Sequence, residues 1–141
     1  MEIQWLTNSF KGIVTLYETN ITLNTVASSN FESAYATMIG YSKKDNSLVI
    51  KYLNKEEATS GVYNKNDLHT ISIKPSYGRI NGKNIIRSIS NFYPLDFSKK
   101  NMYKFYSTWD VASKSLIVDL NAEVKVWIHT LYWSLRGASL F

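Results

Sequence analysis

Short stretches of alternating apolar and polar residues recur along the chain, and polar turn residues separate them. Period-two alternation of this kind predicts half-buried β-strands. We expect strands at residues 12–18, 21–23, 36–41, 48–53, 70–74, 79–81, 102–109 and 115–120. Two short helices are predicted between them, at 25–33, where Asn24 or Thr25 can cap the first turn, and at 83–90.

The order strand, strand, helix, strand, strand occurs twice. The first two strands of the two copies align at one constant sequence offset. The hairpins that end the two copies align at a larger offset, because the second copy has additional residues around Pro94. Matching positions are Val14 and Ile71, Leu16 and Ile73, Leu23 and Ile80, Tyr35 and Tyr103, Tyr41 and Trp109, and Leu48 and Leu116. Residues 13–53 and 70–120 are therefore predicted to be two tandem ββαββ repeats of one small, β-rich α+β domain. Two unrelated hairpins with generic alternation are the alternative.

Two segments lie outside these repeats within a single predicted domain, 1–141. Residues 54–69 are mostly polar and are expected to link the repeats. In residues 121–141, apolar side chains recur at helical spacing, namely Val124, Trp127, Ile128, Leu131 and Leu135. This spacing predicts an amphipathic C-terminal helix that packs on the domain or on a second protomer. Val124, Val126 and Ile128 also alternate, so the segment can begin as a strand.

Composition narrows the class of protein. The apolar fraction of 45% and the charged fraction of 19% are typical of a folded globular domain. The chain has no cysteine, which excludes disulfides and thiolate chemistry. The N-terminal residues lack the pattern of a signal peptide, and no apolar stretch reaches the roughly 18 residues of a membrane span. We therefore expect a cytoplasmic protein with no membrane partner.

Catalytic patterns are weak. The two histidines, His69 and His129, stand far apart in sequence, and the carboxylates are scattered without a pairing motif. No nucleophile elbow, glycine-rich phosphate loop or zinc signature occurs. We predict that the protein is not an enzyme and has no cofactor and no bound metal. Catalysis stays an alternative, because catalytic groups need not be neighbours in sequence.

The net charge of +5 is unevenly distributed. Residues 1–57 carry five lysines against six carboxylates, whereas residues 70–100 carry six cations against Asp96 alone. Clustered cations are the usual footprint of phosphate contact. The predicted nucleic-acid-binding residues are Lys74, Arg79, Lys83, Arg87, Lys99 and Lys100. The alternative is a solvated face that only keeps the protein soluble.

Aromatic residues concentrate in the second hairpin. Tyr103, Phe105, Tyr106 and Trp109 fall on one predicted strand, close to Lys99, Lys100 and Lys104. Such a combination can stack single-stranded bases while the lysines hold phosphates. Strands are rich in aromatic residues in any case, so packing of these side chains in the core is the favoured interpretation.

One segment resembles a known family. Residues 77–87, Tyr-Gly-Arg-Ile-Asn-Gly-Lys-Asn-Ile-Ile-Arg, resemble the half-repeat of AbrB-type swapped-hairpin transcription regulators, in which a Gly-Arg turn leads into a short helix. Two half-repeats in one chain are similar to the MraZ-type arrangement. The resemblance implies that Arg79 and Arg87 face DNA, with Lys83 beside them. The family's proline before the helix is replaced here by Lys83, and the first repeat lacks the matching cations.

The sequence thus predicts a DNA-binding regulatory or accessory protein, a homodimer or larger homo-oligomer, that contacts DNA through the basic turn and helix of its second repeat. The alternative function is a protein-interaction or assembly module without nucleic-acid binding or catalysis. Its support is the aromatic content and the apolar C-terminal segment.

Overall fold

The computed structural model describes residues 2–4 and 11–124, and this part of the chain is mostly antiparallel β-sheet. The strands are β1 (Gly12–Leu16), β2 (Asn20–Asn24), β3 (Ala36–Ser42), β4 (Ser47–Leu53), β5 (Ser72–Ile73), β6 (Tyr77–Asn81), β7 (Tyr103–Asp110) and β8 (Ser115–Glu123). The α-helices are α1 (Thr25–Ser28), α2 (Lys55–Thr59) and α3 (Lys83–Ile89), with 3-10 helices at Ser29–Phe31 and Lys65–Asp67.

All eight strands belong to one sheet, in the order β3-β4-β8-β7-β1-β2-β6-β5. The sheet curls into a half-barrel. Its two edges meet at one point, where Thr37 of β3 and His69, just before β5, exchange two backbone hydrogen bonds of 2.8 Å. Curling gives the sheet a concave side, where the core lies, and a convex side that faces outward.

The predicted fold class, an α+β domain of two tandem ββαββ units, is wrong. Strands from the two halves of the chain pair with each other, β2 with β6 and β4 with β8, so neither half is a separate unit. The physical reason is that an isolated hairpin leaves two edges unpaired and buries too little apolar surface. When the strands of the two halves lie between one another in a single sheet, these edges are paired and one core is built.

The strand register follows the alignment found in the sequence. Thr15 pairs with Thr22, and their counterparts in the second half, Ser72 and Arg79, pair with each other. In the same way Tyr41 pairs with Leu48, and their counterparts Trp109 and Leu116 form a pair. These aligned positions occupy equivalent ladder positions within the single sheet, whereas Tyr35 precedes β3 and its aligned residue Tyr103 lies within β7.

One apolar core fills the concave side. Its fully buried side chains include Val14, Leu16, Ile21, Leu23, Phe31, Leu48, Ile50, Ile80, Phe105, Leu116 and Val118. Phe31 packs edge-on against Trp109, with ring centroids 5.4 Å apart. Helix α3 contributes Ile86 and Ile89 to the same core. Both α1 and α3 thus cover inward-facing residues and leave the convex side of β1, β2 and β6 uncovered by helices of the described ranges.

Residues 54–69, expected to be a linker, contain α2 and a 3-10 helix. Asn54 and Glu57 form a capping box at the start of α2: the Asn54 side chain accepts from the Glu57 backbone at 2.8 Å, and Glu57 accepts from the Asn54 backbone at 3.0 Å. Ala58 of α2 is buried against Ala36 and Leu53 in a second apolar cluster. This segment therefore covers part of the β3–β4 hairpin.

Strand β8 extends to Glu123, so the start of the C-terminal segment is a strand. The C-terminal helix predicted within 121–141 falls on residues 125–141, which lie outside the described ranges.

Candidate nucleic-acid interface

The convex side of four neighbouring strands, β7, β1, β2 and β6, forms a polar surface that we call the front face. Side chains alternate along each strand, so every second residue points away from the core. On β7 we limit the front face to the stretch that pairs with β1, because the exposed Thr108 and Asp110, which also point outward, lie beyond the end of β1. The front face then consists of Lys104, Tyr106, Ile13, Thr15, Asn20, Thr22, Asn24, Tyr77, Arg79 and Asn81. None of these ten residues is acidic.

Two cations and two threonines form a row across this face. Lys104 lies opposite Thr15, Thr15 opposite Thr22, and Thr22 opposite Arg79. Three strand-to-strand steps of about 4.8 Å place Lys104 and Arg79 about 14 Å apart along the row. We call this line of four residues the cationic row. Thr15 in its middle is only 6% exposed, Thr22 and Lys104 are half-buried, and Arg79 is exposed.

Arg79 is exposed on β6, and its orientation is fixed by one neighbour. Its Nε donates to Oδ1 of Asn81 at 2.9 Å, the next outward residue on the same strand. Its terminal amino groups form no hydrogen bond or ion pair with the described residues. A guanidinium held in this way can contact phosphate oxygens in a planar, bidentate geometry.

The resemblance to the AbrB-type half-repeat implies a Gly-Arg turn at Gly78, but Gly78 lies within β6 and is buried. The turn comes earlier, at Pro75 and Ser76, where the Lys74 backbone donates to the Tyr77 carbonyl at 2.8 Å. A Cβ at Gly78 would lie 2.9 Å from Cβ of Ser28 in α1. The glycine therefore permits close packing of α1 on β6, and Arg79 projects from a strand.

Comparison with known protein families, with curated proteins and with solved structures finds no match to this chain. The resemblance to AbrB-type regulators therefore stays a hypothesis that depends on residues 77–87.

The six predicted binding residues divide among three places. Arg79 lies on the front face, and Lys74 is exposed in the turn between β5 and β6. Lys83 and Arg87 are exposed one turn apart on α3, whose opposite side packs into the core. Lys99 and Lys100 lie in the loop before β7. Within the described residues the first four have no acidic partner, whereas both loop lysines have one.

Lys100 is held in a small polar cluster. It forms an ion pair with Glu123 of β8, and its ammonium lies 4.3 Å from the centroid of the Tyr103 ring. The Tyr93 hydroxyl donates to the same carboxylate at 3.1 Å. Burial, with a further contribution from the Glu123 charge, raises the pKa of Tyr93 to about 12. These contacts anchor the loop to β8 and leave Lys100 less available to a ligand.

Lys99 has a weaker restraint. Its ammonium lies 3.9 Å from the Asp96 carboxylate, and its side chain is largely exposed. Hydrogen bonds from Ser98 lower the pKa of Asp96, so this carboxylate is ionised at neutral pH and offsets the lysine charge locally.

A second row of the front face carries two exposed tyrosines. Tyr106 of β7 lies opposite Ile13, and Tyr77 of β6 lies opposite Asn24. The Asn24 side chain joins the middle of the row, because its Oδ1 accepts from the Ile13 backbone at 3.0 Å. We call these four residues the tyrosine row. It runs parallel to the cationic row and is displaced from it by two residues along each strand.

The aromatic cluster predicted on β7 separates into two sets. Tyr103 and Phe105 are buried and Trp109 packs against Phe31, as the favoured core interpretation expected. Tyr106 alone of the four points outward and is 41% exposed. Tyr77 and Lys11 were not singled out from the sequence. The outward phase of β6 would have identified Tyr77, whereas Lys11 precedes β1 and has no pattern of its own.

Neither a metal-binding cluster nor a membrane-spanning helix occurs in the described ranges. No three side chains among His, Asp and Glu there lie close enough to bind a metal ion together. No helix in these ranges combines the length and apolar character needed to cross a membrane.

Proposed function

We propose that this protein binds nucleic acid through the front face, with Arg79 and Lys104 as the central phosphate contacts. The supporting observation is the cationic row: two cations about 14 Å apart, on a front face whose ten residues include no carboxylate, the nearest outward one on these strands being Asp110 at the end of β7. Lys74 extends this surface at the β5–β6 turn, and Lys83 and Arg87 add cations on α3. A regulatory or accessory role on DNA, a homo-oligomeric state and a cytoplasmic location belong to the same proposal.

Phosphate contact is the interaction that such a surface supports best. Arginine and lysine neutralise phosphates and release condensed counterions, which makes binding strongly dependent on salt. Threonine and asparagine side chains can donate further hydrogen bonds to phosphate oxygens. Thr22, Asn20 and Asn81 lie between or beside the cations on the front face. With few cations per chain, we expect weak binding that is lost as salt is raised.

Fluorescence anisotropy with labelled oligonucleotides, from about 50 mM to about 200 mM salt, tests the proposal. The double variant Arg79→Ala/Lys104→Ala should bind more weakly and make the salt dependence shallower, the slope changing by about 1.5 to 2 because two phosphate contacts are lost. The variant Lys83→Ala/Arg87→Ala measures the contribution of α3 in the same way. Absence of binding to any oligonucleotide at low salt would refute the proposal.

The matched control is Lys43→Ala/Lys44→Ala. Both lysines are exposed in the turn between β3 and β4, away from the front face, and their loss changes net charge by the same amount. We expect this variant to keep the wild-type slope. An equal loss of affinity in Arg79→Ala/Lys104→Ala and in Lys43→Ala/Lys44→Ala would show that overall charge, and not the front face, governs binding.

An assembly module is the second candidate, and one observation favours it. Strand β3 is a sheet edge, and in the described structure the single bridge at Thr37 and His69 is all that pairs its outer side. Open strand edges readily pair with another chain. Light scattering of the full chain over a range of concentrations tests this candidate, and a monomer at every concentration would exclude self-assembly.

A further inference from the structure

Three members of the tyrosine row, Tyr106, Ile13 and Asn24, line an open groove, and Tyr77 lies outside it at the other end of the row. The groove has a volume of about 430 Å³, and its lining includes Lys11, Ile13, Asn24, Val26 and Tyr106. Small-molecule pockets typically have volumes of about 300 to 1,000 Å³. Tyr106 is 41% exposed and Tyr77 37% exposed, at opposite ends of the row. Two aromatic rings thus stand at the ends of a shallow surface.

The polar atoms of the groove floor already have partners. The Asn24 side chain accepts from the backbones of Ile13 and Ala27, both at 3.0 Å, and donates to the Lys11 carbonyl at 2.9 Å. The Thr25 hydroxyl donates to the Ser76 carbonyl at 2.9 Å. A floor bonded in this way offers few free groups for reading base edges. Contact with a base would therefore be stacking and van der Waals contact, which tolerates any sequence.

Cations lie beside both rings. The Lys11 ammonium is 4.9 Å from the centroid of the Tyr106 ring, and Lys104 is the next outward residue on β7. Arg79 stands in the same relation to Tyr77 on β6. A base stacked on either ring would thus have its phosphate close to a cation. Each end of the front face repeats the same pair of functions, an aromatic ring and a positive charge.

Aromatic rings beside cations suit single strands better than duplexes. In a duplex the bases are stacked and paired internally, so only the phosphates are available to a flat protein surface. An unpaired strand can turn its bases outward onto aromatic side chains while cations follow its backbone. Three strand steps separate β7 from β6, so the ends of each row are about 14 Å apart, which is more than the span of one nucleotide.

We propose that the front face binds single-stranded nucleic acid running across the strands, with bases stacked on Tyr106 and Tyr77 and phosphates along the cationic row. This inference rests on the proposed nucleic-acid binding and specifies its ligand. It gives little sequence preference and a strong dependence on salt. Each stacked base contributes separately, so removal of either ring weakens binding without abolishing it.

Anisotropy titrations of the full chain test this inference with three labelled probes of about twelve nucleotides: oligo-dT, oligo-U and a blunt duplex. We expect both single strands to bind at least about tenfold more tightly than the duplex. Tyr106→Ala and Tyr77→Ala should each weaken single-strand binding by about 5- to 150-fold, the range for loss of one base–aromatic stack, and should leave duplex binding unchanged. The two single-stranded probes also show whether DNA or RNA is preferred.

Two controls separate stacking from folding. Tyr106→Phe keeps the ring and should retain single-strand affinity, whereas Tyr35→Ala removes a tyrosine that is 50% exposed elsewhere on the chain and should have no effect. Circular dichroism of each variant verifies the fold. Equal binding of single strands and duplex, with no effect of the tyrosine variants, would overturn this inference and leave the proposed function standing. No binding to any probe would overturn both.

Discussion

Replacement of Gly78 by alanine should destabilise the protein, because α1 packs directly on the backbone of β6 at this position. The added Cβ would lie 2.9 Å from Cβ of Ser28 and 3.0 Å from Cδ1 of Ile73. Favourable carbon–carbon contacts are about 3.5–4.0 Å, so α1 or β5 must move. Overpacking of this kind costs about 1–3 kcal/mol, and the reduced freedom of the unfolded chain offsets about 0.4–1 kcal/mol. We expect a net loss of about 1–2 kcal/mol.

Gly40→Ala is the matched control. Gly40 lies on β3, is exposed, and has no atom within 4 Å of the position of an added Cβ. The same substitution there should leave the free energy of unfolding unchanged or raise it by about 0.5–1 kcal/mol. Urea unfolding followed by circular dichroism compares the two variants, since a change of midpoint at constant slope reports stability alone.

A third variant identifies the cause. In Gly78→Ala/Ser28→Gly the Cβ of residue 28 is absent, so the closest contact disappears. The double variant should be more stable than the sum of the two single effects predicts, a coupling that a double-mutant cycle measures directly. If Gly78→Ala were as stable as Gly40→Ala, the close approach of α1 to β6 would be refuted.

Four further predictions concern a helix cap and ionisable groups. Asn54→Ala should lower the free energy of unfolding by about 1 kcal/mol, measured in urea, because α2 loses its capping box. The cap and Lys114 lower the pKa of Glu57 below 4.5, so its contribution to stability is present above that pH and is lost as pH falls; Glu57→Gln should flatten this acid limb of the urea midpoint. Burial lowers the pKa of His69 below 6.5, so stability should fall as pH drops through that range, and His69→Gln should remove the effect. Glu123→Gln should bring the pKa of Tyr93 down from about 12, seen as an earlier tyrosinate absorbance in an alkaline titration.

Local elements were predictable from the sequence, and the pairing of strands was not. The alternation at Val14 and Leu16 reports which side of a strand is buried, and the structure has β1 there. Alternation does not report the neighbour of a strand. The pairing of β2 with β6 joins segments that are distant in sequence, and it follows from the need to cover open edges that no local pattern records.

Helix α2 was missed although its signal was present. Asn54 followed three residues later by Glu57 is the sequence signature of a capping box. The polar composition of residues 54–69 outweighed that signal, because a helix of five residues buries only Ala58 and shows no apolar periodicity. Short helices that depend on caps are therefore recognised by their termini more readily than by their faces.

The candidate site was only partly predictable. The excess of cations in residues 70–100 predicted binding residues there, and one of them, Arg79, lies on the front face. Lys104 joins it because β7 pairs with β1 and β1 with β2, a relation carried by the register. Lys100 was predicted as a contact from charge alone, and its partner Glu123 comes from a different strand, so sequence proximity could not reveal the ion pair.

The intercalation of the two halves has a consequence for how the chain folds. When β1 to β4 have been synthesised, β2 and β4 each still lack a neighbour, because β6 and β8 come later in the chain. Contacts between residues so far apart in sequence form slowly, and the unpaired strand edges promote aggregation until those contacts form. We expect folding to be a single late event that requires nearly the whole described chain, so that fragments ending before β8 neither fold nor remain in solution.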